Sequence, residues 1–134
     1  MPKKWTVLFC DPNAVLCPIV KFLDGCRPEH RVKVLRMIEL LEEMGPNLPR
    51  PYSDLLRDGI HELRIKLSGE QIRLFYFFCF ERYIVLYEVL HKHTDRVPEA
   101  VIRRTGLYRD DVIARLRPAK LEEAVHADAE TIRR

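Results

Sequence analysis

The sequence predicts a single-domain α+β fold. Three observations carry the prediction. A short β-branched and aromatic run opens the chain, two stretches with helical character follow it, and three strand-like segments then come in quick succession, separated only by turn residues. At 134 residues the chain is long enough for one compact core. Apolar residues make up 47% and charged residues 32%, which places the chain among globular proteins rather than disordered or fibrous ones.

The first strand is read at residues 5–9 (WTVLF), and Asp11-Pro12-Asn13 marks a turn or a helix start. Pro18 suits the first turn of a short helix, where its missing N–H costs nothing, and Gly25 stops that helix. Pro28 opens a longer one. Val34, Leu35, Ile38, Leu41 and Met44 recur at helical spacing, charged residues take the other side, and Gly45-Pro46 ends it. Residues 47–53, with Pro49 and Pro51, read as a rigid loop.

An antiparallel sheet follows. In residues 62–67 (ELRIKL) the alternation puts Arg64 and Lys66 on one face, about 7 Å apart along the strand. Ser68-Gly69-Glu70 is a hairpin turn. Residues 71–80 are almost continuously apolar and aromatic with one charge, Arg73, as in a central strand covered on both faces. Phe75, Tyr76, Phe77, Phe78 and Phe80 are read as core rather than as a base-stacking platform. Glu81-Arg82 is the next turn, and residues 83–90 form a third strand that runs out into His91-Lys92-His93. Beyond Pro98 the pattern is helical over 99–104, broken at Thr105-Gly106, and helical again over 108–115 and 119–132. Residues 1–134 are taken as one domain, with 105–134 a helical C-terminal extension of unassigned role.

No apolar run approaches the roughly 20 residues that cross a bilayer, and the N-terminus lacks the apolar core of a signal peptide. A cytoplasmic location without membrane association is expected. The net charge of +3 permits nucleic-acid binding without arguing for it, so local placement of charge decides. The four cysteines, Cys10, Cys17, Cys26 and Cys79, form no CxxC pair and are read as reduced thiols. Cys10, Cys17, Cys26 and His30 fit no standard zinc spacing, so no metal or cofactor is expected.

A sheet that gathers Arg64, Lys66, Arg73, Lys92 and His93 suits a phosphodiester. Cleaving RNA without a metal needs a base for the 2′-OH, cations on the phosphate, and an acid for the leaving 5′ oxygen. Arginine suits the phosphate because its fork meets two oxygens, and lysine or histidine can serve as base or acid. Arg73 stands out because a lone charge in a buried strand is costly. It is either paired with a carboxylate such as Glu62 or Glu88, or kept for function. His91 and His93 flank Lys92 at the strand end and join the candidates.

Several local signatures resemble the RelE/HigB superfamily of toxin–antitoxin ribonucleases, and the phage-derived HigB-like branch in particular. They are Trp5 in the opening strand, PIVKFLDG at 18–25, VLRMIELLEEMG at 34–45, PRPYSDLLRDGIHELR at 49–64, IRLFYFF at 72–78 and IVLYEVLHKHTDRVP at 84–98. The resemblance implies a RelE-like α+β fold, with an N-terminal strand and two helices packed on an antiparallel sheet and helices at the C-terminus. It implies a toxin that cleaves mRNA, typically on the ribosome, and a cognate antitoxin, often of helix-turn-helix type. It also implies roles for residues. Lys66 is the base or transition-state cation, Arg64 and Arg73 clamp phosphate, and His93 is the acid, with Lys66 and His93 able to exchange. Lys92 falls in the basic pair after the last strand, and His91, taken from its place at the strand end, joins it in the RNA-binding set. Relatives of ParE type share the fold but act on a protein target such as gyrase, and a degenerate homologue that only binds is the further alternative.

Overall fold

The computed structural model describes residues 5–9, 18–92 and 96–123, Lys92 by its backbone alone. Cys10, Cys17, the turn expected at 11–13, His93 and the helix expected beyond 123 therefore lie outside the described residues. Strand β1 (Thr6–Leu8) is followed by helices α1 (Pro18–Gly25) and α2 (Pro28–Met44). Strands β2 (Ser53–Arg57), β3 (Ile60–Leu67), β4 (Glu70–Cys79) and β5 (Tyr83–Lys92) come next, then helix α3 (Glu99–Arg115). The sheet order is β1-β5-β4-β3-β2, and β1 runs parallel to β5 while the other pairs are antiparallel. The sheet is thus mixed, and its α+β character is as the sequence predicts.

Two expectations are corrected. Ser53–Arg57 is a strand and not the end of a loop. Its signal is the Asp58-Gly59 dipeptide, whose two residues take φ of 53° and 77°, the geometry of a tight hairpin. Helix α3 also runs unbroken through Thr105-Gly106. Thr105 is fully buried and its Oγ1 donates to the Val101 carbonyl at 2.8 Å, so the threonine is satisfied inside the helix. A mid-helix glycine costs about 1 kcal/mol, and burial of Ile102 and Val112 against the sheet outweighs it.

The strands divide side chains between two cores. Helices α1 and α2 cover one face through Ile19, Leu23, Val34, Ile38 and Leu41, which pack on Leu63, Ile65, Leu74 and Tyr76. Helix α3 and the residues after it cover part of the other face, where Ile60, Phe77, Tyr83 and Val85 meet Ile102, Val112, Leu116 and Leu121. Arg57–Glu99 at 2.7 Å, the Arg104–Glu88 pair, and a hydrogen bond from Arg109 to the Asp58 carbonyl fix the helix to the strands. Residues 118–123 are helical again, and the Tyr83 hydroxyl donates to Glu122 at 2.6 Å.

A β-bulge at Tyr87 breaks the alternation of β5. Phe75 pairs with Glu88 and Tyr76 with Leu86, leaving Tyr87 as the extra residue. Tyr87 stacks on Tyr108 of α3 at 4.1 Å and Glu88 pairs with Arg104 of the same helix. Odd-numbered Tyr83 and Val85 and even-numbered Glu88 and Leu90 thereby share one face.

At the edge of the sheet, buried Glu42 of α2 accepts the Val7 N–H at 3.0 Å, so a side chain occupies a donor of β1 that faces away from β5. At the β4–β5 turn, Phe80 and Glu81 both adopt left-handed φ, 54° and 55°, without a glycine. Replacing Glu81 by glycine is expected to raise stability by about 0.5–1 kcal/mol in urea unfolding, because the left-handed conformation then carries no Cβ penalty. A decrease would show that the Glu81 side chain supplies a compensating contact.

Candidate functional site

Arg64, Lys66 and Arg73 lie on the sheet face that α3 shares, in rows fixed by strand register. Arg64 stands directly opposite Arg73. Lys66 pairs with Gln71, and Gln71 pairs with Lys92 on the far side of β4. Glu62 pairs with Phe75, which pairs with Glu88. Two guanidinium groups directly across a strand pair repel one another. The neighbouring row answers this with Glu62, whose Oε1 accepts from Arg64 Nε at 2.7 Å and from Arg73 Nη1 at 2.6 Å.

The network continues outward. Asp54 of β2 holds Arg64 Nη2 at 3.1 Å, and Arg50 donates to the other Asp54 oxygen from Nε and Nη2 at 3.0 and 2.8 Å. Inward, Arg73 Nη2 donates to Gln71 at 3.3 Å. Burial is graded along this chain: the Glu62 side chain is 0% exposed, Arg73 4%, Arg64 24% and Arg50 75%. Of the two sequence alternatives for Arg73, pairing with Glu62 is realised, while Glu88 is taken by Arg104. Glu62 Oε2 and Arg73 Nε remain buried without a partner.

Lys66 differs from both arginines. Its side chain is exposed, and among the described residues its ammonium has no carboxylate or hydrogen-bond partner. Its carbonyl accepts a hydrogen bond from Lys33 of α2, which ties the strand to the helix behind it.

His91 is on the opposite face. Its Nδ1 meets Glu70 at 3.1 Å and its ring lies edge-on to Phe22 of α1 at 5.7 Å. It helps line a cleft of about 660 Å³ beside α1, with Leu67, Ile72 and Val89 in the apolar lining and His30 at its side. The structure therefore brings together Arg64, Lys66, Arg73 and the Lys92 backbone position and does not bring His91 to them. The bulge at Tyr87 is the cause, since it reverses which residues of β5 face α3. Cys26, in the cleft, has its thiol raised mainly by burial, and burial pushes the Cys79 thiol up to about 11. Among the described residues no three His, Cys, Asp or Glu are grouped to hold a metal.

Sequence reasoning missed Arg50 and Asp54 because Arg50 lies in the 47–53 segment read as a loop, and Asp54 lies on β2, for which no strand was expected. Their only local sign is the Asp58-Gly59 turn that pairs β2 with β3. On the helix-covered face, His61 stacks on Tyr76 at 5.2 Å and meets Phe78 edge-on at 5.1 Å. Burial holds the His61 imidazole below its ordinary value, and the Asp54 carboxylate partly opposes that. Burial also pushes Tyr76 up to about 12, and its hydroxyl meets Ser53 Oγ at 2.6 Å.

Two outcomes follow from these environments. Breaking a buried ion pair strands its partner, so Arg73→Ala is expected to lower unfolding free energy by about 3–5 kcal/mol, whereas Lys66→Ala stays within about 0.5 kcal/mol of wild type. Denaturant titration of both variants checks this, and equal stability for Arg73→Ala would sink the structural assignment of that arginine. For His61 the folded-state value is the depressed one. Its contribution to stability is complete above the unfolded value near ~6.5 and is lost as pH falls through the folded value. His61→Phe is expected to flatten that part of the stability profile, the fall that sets in as pH drops below the unfolded value.

The family described as Phage derived protein Gp49-like (DUF891) matches residues 21–105, which take in strands β2 to β5 and every described member of the cationic rows. No curated protein matches the chain. With well over half of its length inside that match, the chain belongs to the Gp49-like family of phage-derived proteins, a family of the RelE/HigB-like toxin kind.

Proposed function

We propose that this protein is the toxin of a toxin–antitoxin pair and cleaves mRNA without a metal. The observation that carries the reading is the exposed Lys66 ammonium, unpartnered among the described residues, one row from a prebuilt Arg64–Glu62–Arg73 cluster. In the reaction the ribose 2′-oxygen attacks phosphorus, the bond to the 5′-oxygen breaks, and the products are a 2′,3′-cyclic phosphate and a 5′-hydroxyl. Lys66 supplies charge to the phosphorane or, as a free amine, takes the 2′-OH proton. Arg64 contacts a non-bridging oxygen through its exposed part. Glu62, anchored by buried Arg73, holds Arg64 in place. His93 returns the proton to the 5′-oxygen and Lys92 adds charge for the RNA backbone; both roles come from the family resemblance. The ribosome is where such a toxin meets its mRNA, and a helix-turn-helix antitoxin silences it.

A second reading has its own observation. Arg64 and Arg73 are both matched by carboxylates, which leaves the face less cationic than its residue count suggests. That favours a toxin that binds a protein target, such as gyrase, without cleaving RNA. Mapping of mRNA 5′ ends after brief induction separates the two. Wild type is expected to create new ends inside translated frames, and Lys66→Ala, which keeps its fold, to reduce them about 100-fold. Growth arrest with no new ends would reject the ribonuclease reading. New ends that persist undiminished in Lys66→Ala would reject Lys66 as the reacting cation.

A further inference from the structure

Resting on the RNA-cleaving reading, we infer that Asp54 is an internal competitor for the substrate phosphate, holding the outer edge of the Arg64 guanidinium until RNA displaces it. Arg64 is held at two points. Its Nε is fixed on Glu62 at 2.7 Å, deep in the sheet, and its Nη2 is held by Asp54 at 3.1 Å nearer the edge. Only the second contact lies toward solvent, since Asp54 is 18% exposed and Glu62 0%.

The arrangement allows that outer contact to open without stranding a charge. Asp54 Oδ1 already accepts two N–H groups from Arg50, at 3.0 and 2.8 Å, so Asp54 stays paired when Arg64 leaves it. Glu62 keeps both Arg73 and the Arg64 Nε. A phosphate entering beside Lys66 can then take the freed terminal edge of the guanidinium, whose two parallel N–H groups suit a pair of phosphate oxygens. With no phosphate present, the two carboxylates neutralise Arg64 and Arg73, and the repulsion between two arginines directly opposite in β3 and β4 is suppressed. Asp54 is thus a specificity-setting residue. It weakens capture of any stray anion and is overcome by a ligand that offers several phosphates at once.

The test is binding of a fluorescein-labelled single-stranded RNA, 2′-O-methylated throughout so that it cannot be cut. Wild type, Asp54→Asn, Arg64→Ala, the double variant and Lys66→Ala are compared across salt concentrations. Asp54→Asn is expected to tighten binding about three- to fivefold at low salt, with the number of phosphate contacts read from the log–log salt slope unchanged, because the Arg64–phosphate contact forms in both proteins. The gain is expected to vanish in the Arg64→Ala background, because it passes through Arg64. If Asp54→Asn unfolds early, Asp54→Ser carries the same comparison. A gain that survives intact without Arg64 would overturn the inference, since loss of a negative charge alone would account for it. So would unchanged or weaker binding by a folded Asp54 variant, while wild type still binds more tightly than Lys66→Ala. RNA binding that is absent from wild type and all variants alike would instead remove the reading on which the inference rests.

Discussion

A single buried carboxylate organises this sheet. Glu62 sits on β3 where its Oε1 receives both Arg64 and Arg73, which register places face to face across the β3–β4 pair. Without it two like charges would meet directly across a strand pair, one of them in the interior. With it, β3 and β4 can carry cations among Phe75, Leu74 and Ile65 and still close their core. The same carboxylate sets what the face can do. It immobilises one arginine completely and leaves the other partly exposed, so the two are unequal partners although the sequence spaces them as equals.

The sheet then has to serve two cores and a polar region at once. Helices α1 and α2 seal one face, and α3 seals the part of the other face around Phe77, Tyr83 and Val85. The bulge at Tyr87 is what permits this division. It gives α3 two adjacent anchors, the Tyr87–Tyr108 stack and the Glu88–Arg104 pair, and it carries Leu90 and the Lys92 position onto the face of Arg73. The cost falls on His91, which turns to Phe22 and Glu70 beside α1.

Together these features explain why charge count is a poor guide to this face. Arg50, Asp54, Arg64, Glu62 and Arg73 form one alternating chain of charges that runs from solvent to the interior. Its inner end is closed off from solvent, while Arg64 and Arg50 at its outer end stay partly exposed. Lys66, one row away, is exposed and has no side-chain partner among the described residues.

Much of the fold was legible in the sequence, because local signals are properties of neighbouring residues. Pro28 and Gly45-Pro46 bracketed α2, the Ser68-Gly69 turn located the β3–β4 hairpin, and strict alternation put Arg64 and Lys66 on one face. Glu62 as a partner for Arg73 was also foreseeable, since a lone charge in so apolar a strand demands one. The sequence alone did not reveal β2, which has only five residues, or the continuity of α3, whose Thr105-Gly106 pair looks like a break until burial is known. Nor could it place His91 on the far face, or bring Arg50 and Asp54 to Arg64. Those outcomes depend on register, a bulge and strand pairing, which long-range packing decides. The sequence by itself determined which residues carry charge and which elements they ride on; only the tertiary structure, through strand register and burial, decided which of the described charges neutralise one another.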